Sequence, residues 1–290
     1  MKPTYKDFQN HFQILAQKRP ELIINTLSNI FTMRLIGNKT HGDMAEIGIA
    51  EFIHQFMYDY DSRHVGKDLF RAKEHEEDIV VFDECTKTEI PISLKAYGDG
   101  PLQLSTDKEA KMFPELIGRG KDITDPAEIA DILASDAFSG LSKVNVMPLI
   151  YREAEMQCNI MVFDFEAMIQ NTKRILYIPK DKKYDTNTKQ LINAKGRAHP
   201  IFMFLDCDGK YICEVRYGDA AANALQRGFW THTVHAKSYF NSLTNGWISY
   251  SHNHTLVHLF KLALNASEIG HTTANILLQE DINRIFTKKN

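Results

Sequence analysis

The chain has 290 residues, of which 43% are hydrophobic and 24% charged, with a formal net charge of −3. That length and apolar content suffice for a full core and argue against intrinsic disorder. The small net charge leaves a nucleic-acid partner open, because such binding depends on a local basic surface rather than on the total.

No apolar run approaches the length of a membrane span, so no membrane association is expected. The opening MKPTYKDFQNHFQ has no secretory-type apolar segment. Cys85, Cys158, Cys207 and Cys213 show neither CxxC spacing nor the density of a disulfide framework. They read as reduced thiols of a cytoplasmic protein.

In chain order, residues 4–35 predict two helices, with Pro20 in the first turn of the second. Residues 38–60 predict a third, starting near Thr40 or Asp43. The region 65–105 is strand-rich: DIVVF and IPISLK form a hairpin, followed by LQLST. STDKEAKMFPEL opens with a capping-type sequence and predicts a short helix stopped near Pro114. GRGKD, 118–122, reads as a loop and DPAEIADILA as a helix.

Strands are expected at CNIMVF and RILYIP, and the polar DKKYDTNTKQ as an exposed connection. IFMFLDCDGKYICEVRYG, 201–218, predicts a second hairpin turned at Asp208-Gly209. Helices are expected at about 218–227, 252–264 and 272–286. The fold class is α+β, a mixed β-sheet core flanked by helices, in a single domain over 1–290.

The first hairpin carries the chemistry. Alternation puts Glu89, Pro91, Ser93 and Lys95 on one face and Ile90, Ile92 and Leu94 on the other. If the aliphatic face packs on the core, Ser93 and Lys95 point together elsewhere, and Asp78 opens the partner strand within range of Lys95. A carboxylate beside a lysine, with further acids nearby, suits metal-dependent phosphodiester hydrolysis. The carboxylate holds Mg²⁺, and the lysine adds charge stabilisation or orients a water. On the preceding helix, Glu46 falls on the apolar stripe with Ala45, Ile49, Ala50 and Ile53. A glutamate there is costly unless it is paired or metal-bound, so Glu46 is expected to reach inward.

A glutamate on an early helix followed by D-x(n)-[DE]-x-K across a hairpin resembles the PD-(D/E)xK nuclease superfamily. The matching positions are Glu46 in GDMAEIGIAEFI, Asp78 in EEDIVV and Lys95 in ISLK. Size and layout look most like a type II restriction endonuclease, and the likeness covers roughly residues 40–115. KAYGDGPLQLSTD resembles the third strand and following helix of such enzymes. The departure is Ser93 where the family has Asp or Glu. Some similar enzymes read S-x-K and take the missing carboxylate from a downstream helix, where Glu109 stands here.

The resemblance therefore implies a restriction-endonuclease-like fold with Asp78, Lys95, Ser93 and either Glu46 or Glu109 as catalytic residues. Mg²⁺ would be held by Asp78, by Glu46 or Glu109, and by the Leu94 carbonyl. It further implies double-stranded DNA as substrate, a homodimer matching palindromic sites, and a cognate DNA methyltransferase.

Residues expected to contact DNA lie mainly within about 200–260. Arg216, Gln226, Arg227, Thr231, His232 and Lys237 combine base-edge and phosphate donors. Gln103 of LQLST is a further candidate. DCDGKYICEVRYG imitates the catalytic pattern, but arginine replaces lysine and its Asp-Gly is explained by a turn. His254 and His258 share a helix face without an evident third metal ligand. Two other readings stay open: an inactive DNA-binding protein on the same fold, and an unrelated metabolic or interaction domain.

Overall fold

In the computed structural model, the described residues are 3–36, 41–66, 77–98, 100–142, 145–217 and 227–264, with 272, 273, 275–277, 279, 280 and 283. Residues 218–226 of the expected helix at 218–227 lie outside them, Gln226 included, whereas the described residues of the expected helix at 272–286 are helical.

The chain opens with α1 (Pro3–Lys18), α2 (Pro20–Ile36) and α3 (His41–Phe56). Pro20 takes the first position of α2, where its missing N–H costs no helical bond. β1 (Tyr60–His64), β2 (Ile79–Asp83) and β3 (Thr88–Gly98) follow. β2 and β3 form the expected hairpin. At its turn the Asp83 carboxylate accepts from the N–H groups of Cys85 (2.9 Å) and Thr86 (3.0 Å), while Lys87 adopts a positive φ of 56°.

β4 (Pro101–Ser105) leads into α4 (Met112–Arg119). Pro114 does not stop this helix, contrary to the sequence expectation. It lies in the first turn, where proline is tolerated because those N–H groups have no partner within the helix. The Asp107 carboxylate satisfies two such donors, the N–H groups of Lys111 (2.9 Å) and Met112 (3.0 Å). β5 (Asp122–Ile123), α5 (Pro126–Ala134), β6 (Asn145–Arg152), β7 (Gln157–Phe163), α6 (Phe165–Asn171) and β8 (Arg174–Ile178) come next.

DKKYDTNTKQ is not a plain connection: β9 (Lys182–Asp185) and β10 (Gln190–Asn193) pair as a hairpin. The Asp185 carboxylate, accepting from Asn187 N–H at 2.8 Å, organises its turn. β11 (Ile201–Leu205) and β12 (Tyr211–Arg216) form the second expected hairpin, with Gly209 at φ 75°. The chain continues through β13 (Gly228–His232), β14 (Phe240–Ser242), β15 (Ile248–Ser249) and α7 (His254–Leu264).

Among the described residues these strands form two large sheets. The first is mixed and runs β1-β2-β3-β6-β7-β14, with β15 also on β7; β3 and β6 are its parallel pair. The second runs β4-β13-β12-β11-β8-β5 and is antiparallel throughout. The helices α1–α3 bury Phe8, Phe12, Leu27 and Ile53 against Ile79, Val81, Ile92 and Leu94 on one face of the first sheet. On its other face Val146 and Phe163 join a separate core with α4, α5 and Phe202, Phe204 and Phe229 of the second sheet. The first sheet is thus covered on both faces. LQLST, expected as the strand that follows the hairpin of Asp78 and Lys95, pairs with β13 in the second sheet. Among the described residues, no helix is long and apolar enough to cross a membrane.

Candidate active site

Asp78 immediately precedes β2, and its N–H donates to the Ile92 carbonyl at 2.9 Å. The register Ile79↔Ile92 sets Asp78 opposite Ser93. Both therefore project from one face, together with Lys95 two residues on. Ile79, Ile92 and Leu94 occupy the other face and enter the helical core. That burial holds the hairpin in a register that a one-residue slip would invert.

The Asp78 carboxylate accepts two hydrogen bonds through Oδ2, from the Leu94 backbone N–H at 2.8 Å and the Ser93 hydroxyl at 3.0 Å. Lys95 Nζ lies 4.0 Å from the same oxygen. Ser93 is buried, at 1% exposure, whereas the Asp78 and Lys95 side chains keep 20% and 24%. The charged pair is therefore reachable from outside while its polar support is not.

Ladder geometry explains why Asp78 meets Leu94. The Ile92 carbonyl points toward β2, whereas the Pro91 carbonyl accepts from the Asn145 amide on the β6 side. The backbone groups of Leu94, two residues after Ile92, also point toward β2, but past its first residue. There the Asp78 carboxylate takes the N–H that the strand no longer covers. The Leu94 carbonyl is directed to the same margin of the sheet.

Glu46 is buried, as its place on the apolar stripe predicted, but its neighbour was not anticipated. Its Oε2 lies 3.1 Å from Nε2 of His64 on β1. His64 pairs with Ile79, so this contact is on the helix-facing side of the sheet. Asp78 projects from the opposite side. The nearest sequence signal was the alternation in YDSRH, which puts Tyr60, Ser62 and His64 on one face. Tyr60 enters the helical core, and Ser62 donates its hydroxyl to the Ala50 carbonyl of α3 at 2.5 Å.

Glu109 is a highly exposed partner of Lys111 in the turn before α4, and that ion pair holds its carboxyl below the usual range. It follows a strand of the second sheet rather than the hairpin of Asp78 and Lys95. Among the described residues, no group of three or more His, Cys, Asp or Glu side chains could hold a metal ion. The oxygen donors at the Asp78 margin, one carboxylate with the Leu94 carbonyl, suit Mg²⁺. That ion commonly takes one or two carboxylates and completes its shell with water and substrate phosphate.

The expected DNA contacts divide. Gln103 is buried and donates its amide to the Arg227 carbonyl at 2.8 Å. Thr231 is buried and donates its hydroxyl to the Ile212 carbonyl at 2.8 Å. Both therefore bind the second sheet together and are not presented to a duplex, a correction to the sequence reading. Arg227 donates to the Lys108 carbonyl at 2.9 Å, tying β13 to the loop before α4. Residues 228–232 form a strand, so alternation turns Phe229 and Thr231 inward and Trp230 and His232 outward. His232 and Arg216 line one cavity on the outer face of the second sheet, and Lys237 is exposed at the start of a short 3₁₀ turn.

No protein-family model, curated protein or solved structure matches the chain.

Proposed function

We propose that the protein is a Mg²⁺-dependent, site-specific endonuclease for double-stranded DNA, of the PD-(D/E)xK restriction type with serine at the usual acidic position. The observation that supports this most is the convergence of Asp78, Ser93 and Lys95 on one margin of a buried hairpin. An ion pair with no chemical role has no need of a fully buried hydroxyl and a strand-margin N–H to fix its carboxylate.

In this reading Asp78 and the Leu94 carbonyl hold Mg²⁺. When bound, the ion supplies Lewis-acid polarisation of the scissile phosphate and acidifies a water. Ser93 and Leu94 N–H fix the Asp78 carboxylate, so little reorganisation is needed on binding substrate. The Lys95 ammonium, a compact charge on a flexible stem, neutralises negative charge at the scissile phosphate and orients a water through its N–H donors. The homodimer and the companion methyltransferase belong to the same proposal, since cutting both strands of a symmetric site calls for two copies.

The alternative of an inactive DNA-binding protein is favoured by one observation: the buried Glu46 carboxylate is engaged by His64 on the far side of the sheet from Asp78. Digestion of phage DNA by the purified protein, with Mg²⁺ and with EDTA, separates the two. Discrete Mg²⁺-dependent fragments, absent with Asp78→Ala, support the nuclease. Intact DNA together with salt-dependent duplex binding supports the alternative.

A further inference from the structure

The outer face of the second sheet carries a cavity of about 890 Å³ that no part of the proposed nuclease chemistry uses. Its size lies within the usual range for small-molecule sites. Cross-strand register builds its floor. Met203 of β11 faces Glu214 of β12, which faces Trp230 of β13, while Ile201 faces Arg216 in the next row. The β9–β10 hairpin brings Tyr184 over the same face, and the segment entering β11 adds Arg197.

Two features mark this as a built site. Arg216 is fixed on two sides, its guanidinium 4.1 Å from the Trp230 ring centroid and its Nε 2.5 Å from a Glu214 carboxylate oxygen. More telling, three of the residues lining the cavity each carry a polar atom that is buried without a hydrogen-bond partner: Tyr184 Oη, Arg197 Nη1 and Trp230 Nε1. Tyr184 itself is only 8% exposed. Buried donors without partners are costly, and here three of them belong to residues that line one concavity.

The ligand these groups would recognise has a definite chemistry. Trp230 and Tyr211 offer aromatic surface to a flat ring, and Trp230 Nε1 and Tyr184 Oη offer hydrogen bonds to its acceptors. With Glu214 engaged by Arg216 and Lys210 paired with Asp208 at 3.2 Å, Arg197 leaves an excess of positive charge for an anion. Burial beside the Glu214 carboxylate pushes the Tyr211 phenol up, so it remains neutral at physiological pH. A ring rich in acceptors joined to an anionic group describes a nucleotide. We propose that this cavity binds a nucleoside monophosphate unit, its base among Trp230, Tyr211 and Tyr184 and its phosphate on Arg197. The site does not rest on the nuclease reading.

The test is calorimetric titration of the full chain in EDTA. Ligands are dAMP, dGMP, dCMP and dTMP, then inorganic phosphate, the free nucleosides and a short single-stranded oligonucleotide. At least one monophosphate should bind saturably and about tenfold or more tighter than phosphate or its nucleoside. Arg197→Ala should weaken that binding by about tenfold or more, and Tyr184→Phe by several-fold. Tyr184→Phe removes an oxygen that has no partner in the folded chain, so thermal stability should not fall while affinity does. Asp78→Ala should leave binding unchanged, which keeps this outcome separate from that of the nuclease.

Oligonucleotide binding with the same sensitivity to both variants, without binding of free nucleotides, would assign the nucleotide to a nucleic-acid strand. Absence of Arg197- and Tyr184-sensitive binding by every ligand would overturn the proposal.

Discussion

Asp78 and Lys95 meet at 4.0 Å across the mouth of a hairpin whose other face is buried under three helices. The carboxylate is held from behind by Ser93 and by the backbone of Leu94, whereas the lysine reaches it from its own strand two residues beyond Ser93. That asymmetry, one fixed group and one adjustable group, separates the expected effects of their substitutions.

Asp78→Ala should reduce Mg²⁺-dependent cleavage by about 10³-fold or more while duplex affinity in EDTA changes little. Lys95→Met should reduce it by about 10²- to 10³-fold, and Lys95→Arg should not restore it, because a planar guanidinium does not reproduce a compact ammonium. Single-turnover cleavage beside gel-shift binding measures both. Full activity in Asp78→Ala would remove the assignment.

Ser93→Ala should cost about 1 kcal/mol of stability through the lost bond to Asp78. Because the Leu94 N–H still holds the carboxylate, cleavage should fall far less than in Asp78→Ala. Urea denaturation and the same cleavage assay test the two halves separately.

Glu46 and His64 should couple structurally. A double-mutant cycle on Glu46→Ala and His64→Ala should return an interaction of about 0.5–3 kcal/mol in unfolding free energy. If Glu46 also serves the metal, Glu46→Gln should lower cleavage without a matching loss of stability. A purely structural Glu46 would show the stability loss alone.

Gly228→Ala should destabilise the second sheet by about 1–3 kcal/mol or more. Gly228 has φ 105°, and an added Cβ would stand 2.2 Å from the Ser105 carbonyl oxygen across the β4–β13 pair. Thermal unfolding reads this directly, and no loss of stability would contradict the close approach of the two strands.

The cysteines should divide evenly in reactivity: Cys85 and Cys207 are exposed, whereas Cys158 and Cys213 are buried. Burial pushes the Cys158 thiol up to about 12 from its ordinary 9.0, and raises Cys213 as well. At about pH 8, a disulfide reagent should modify Cys85 and Cys207 quickly and the other two only on unfolding. A thiol whose pKa is raised on folding disfavours the folded state once its unfolded counterpart begins to ionise. Its contribution is fully present below pH 9.0 and is lost as pH rises to about 12. Stability measured across that interval should fall.

Local pattern carried a large share of this fold. The hairpin at 79–98, its faces, the turn at Asp208-Gly209 and the helices at the N-terminus follow from short-range periodicity and turn chemistry, which need no distant partner. The juxtaposition of Asp78, Ser93 and Lys95 was legible for the same reason, since strand alternation and a short connection determine which side chains share a face. Pro114 was misread because a proline halts a helix or begins one according to its position in the first turn, which a single sequence marks only weakly.

What the sequence by itself determined, then, is the set of local elements and the candidate cluster of Asp78, Ser93 and Lys95 contained within a hairpin. Tertiary structure alone decided that LQLST joins β13 rather than β3, that Glu46 meets His64, and that Gln103 and Thr231 are buried. It alone gathered Tyr184, Arg197, Glu214 and Trp230 around one cavity. The physical reason is common to all of these. Pairing between strands far apart in the chain is selected by the burial of whole faces, and that energy is spread over many residues rather than written in any one segment.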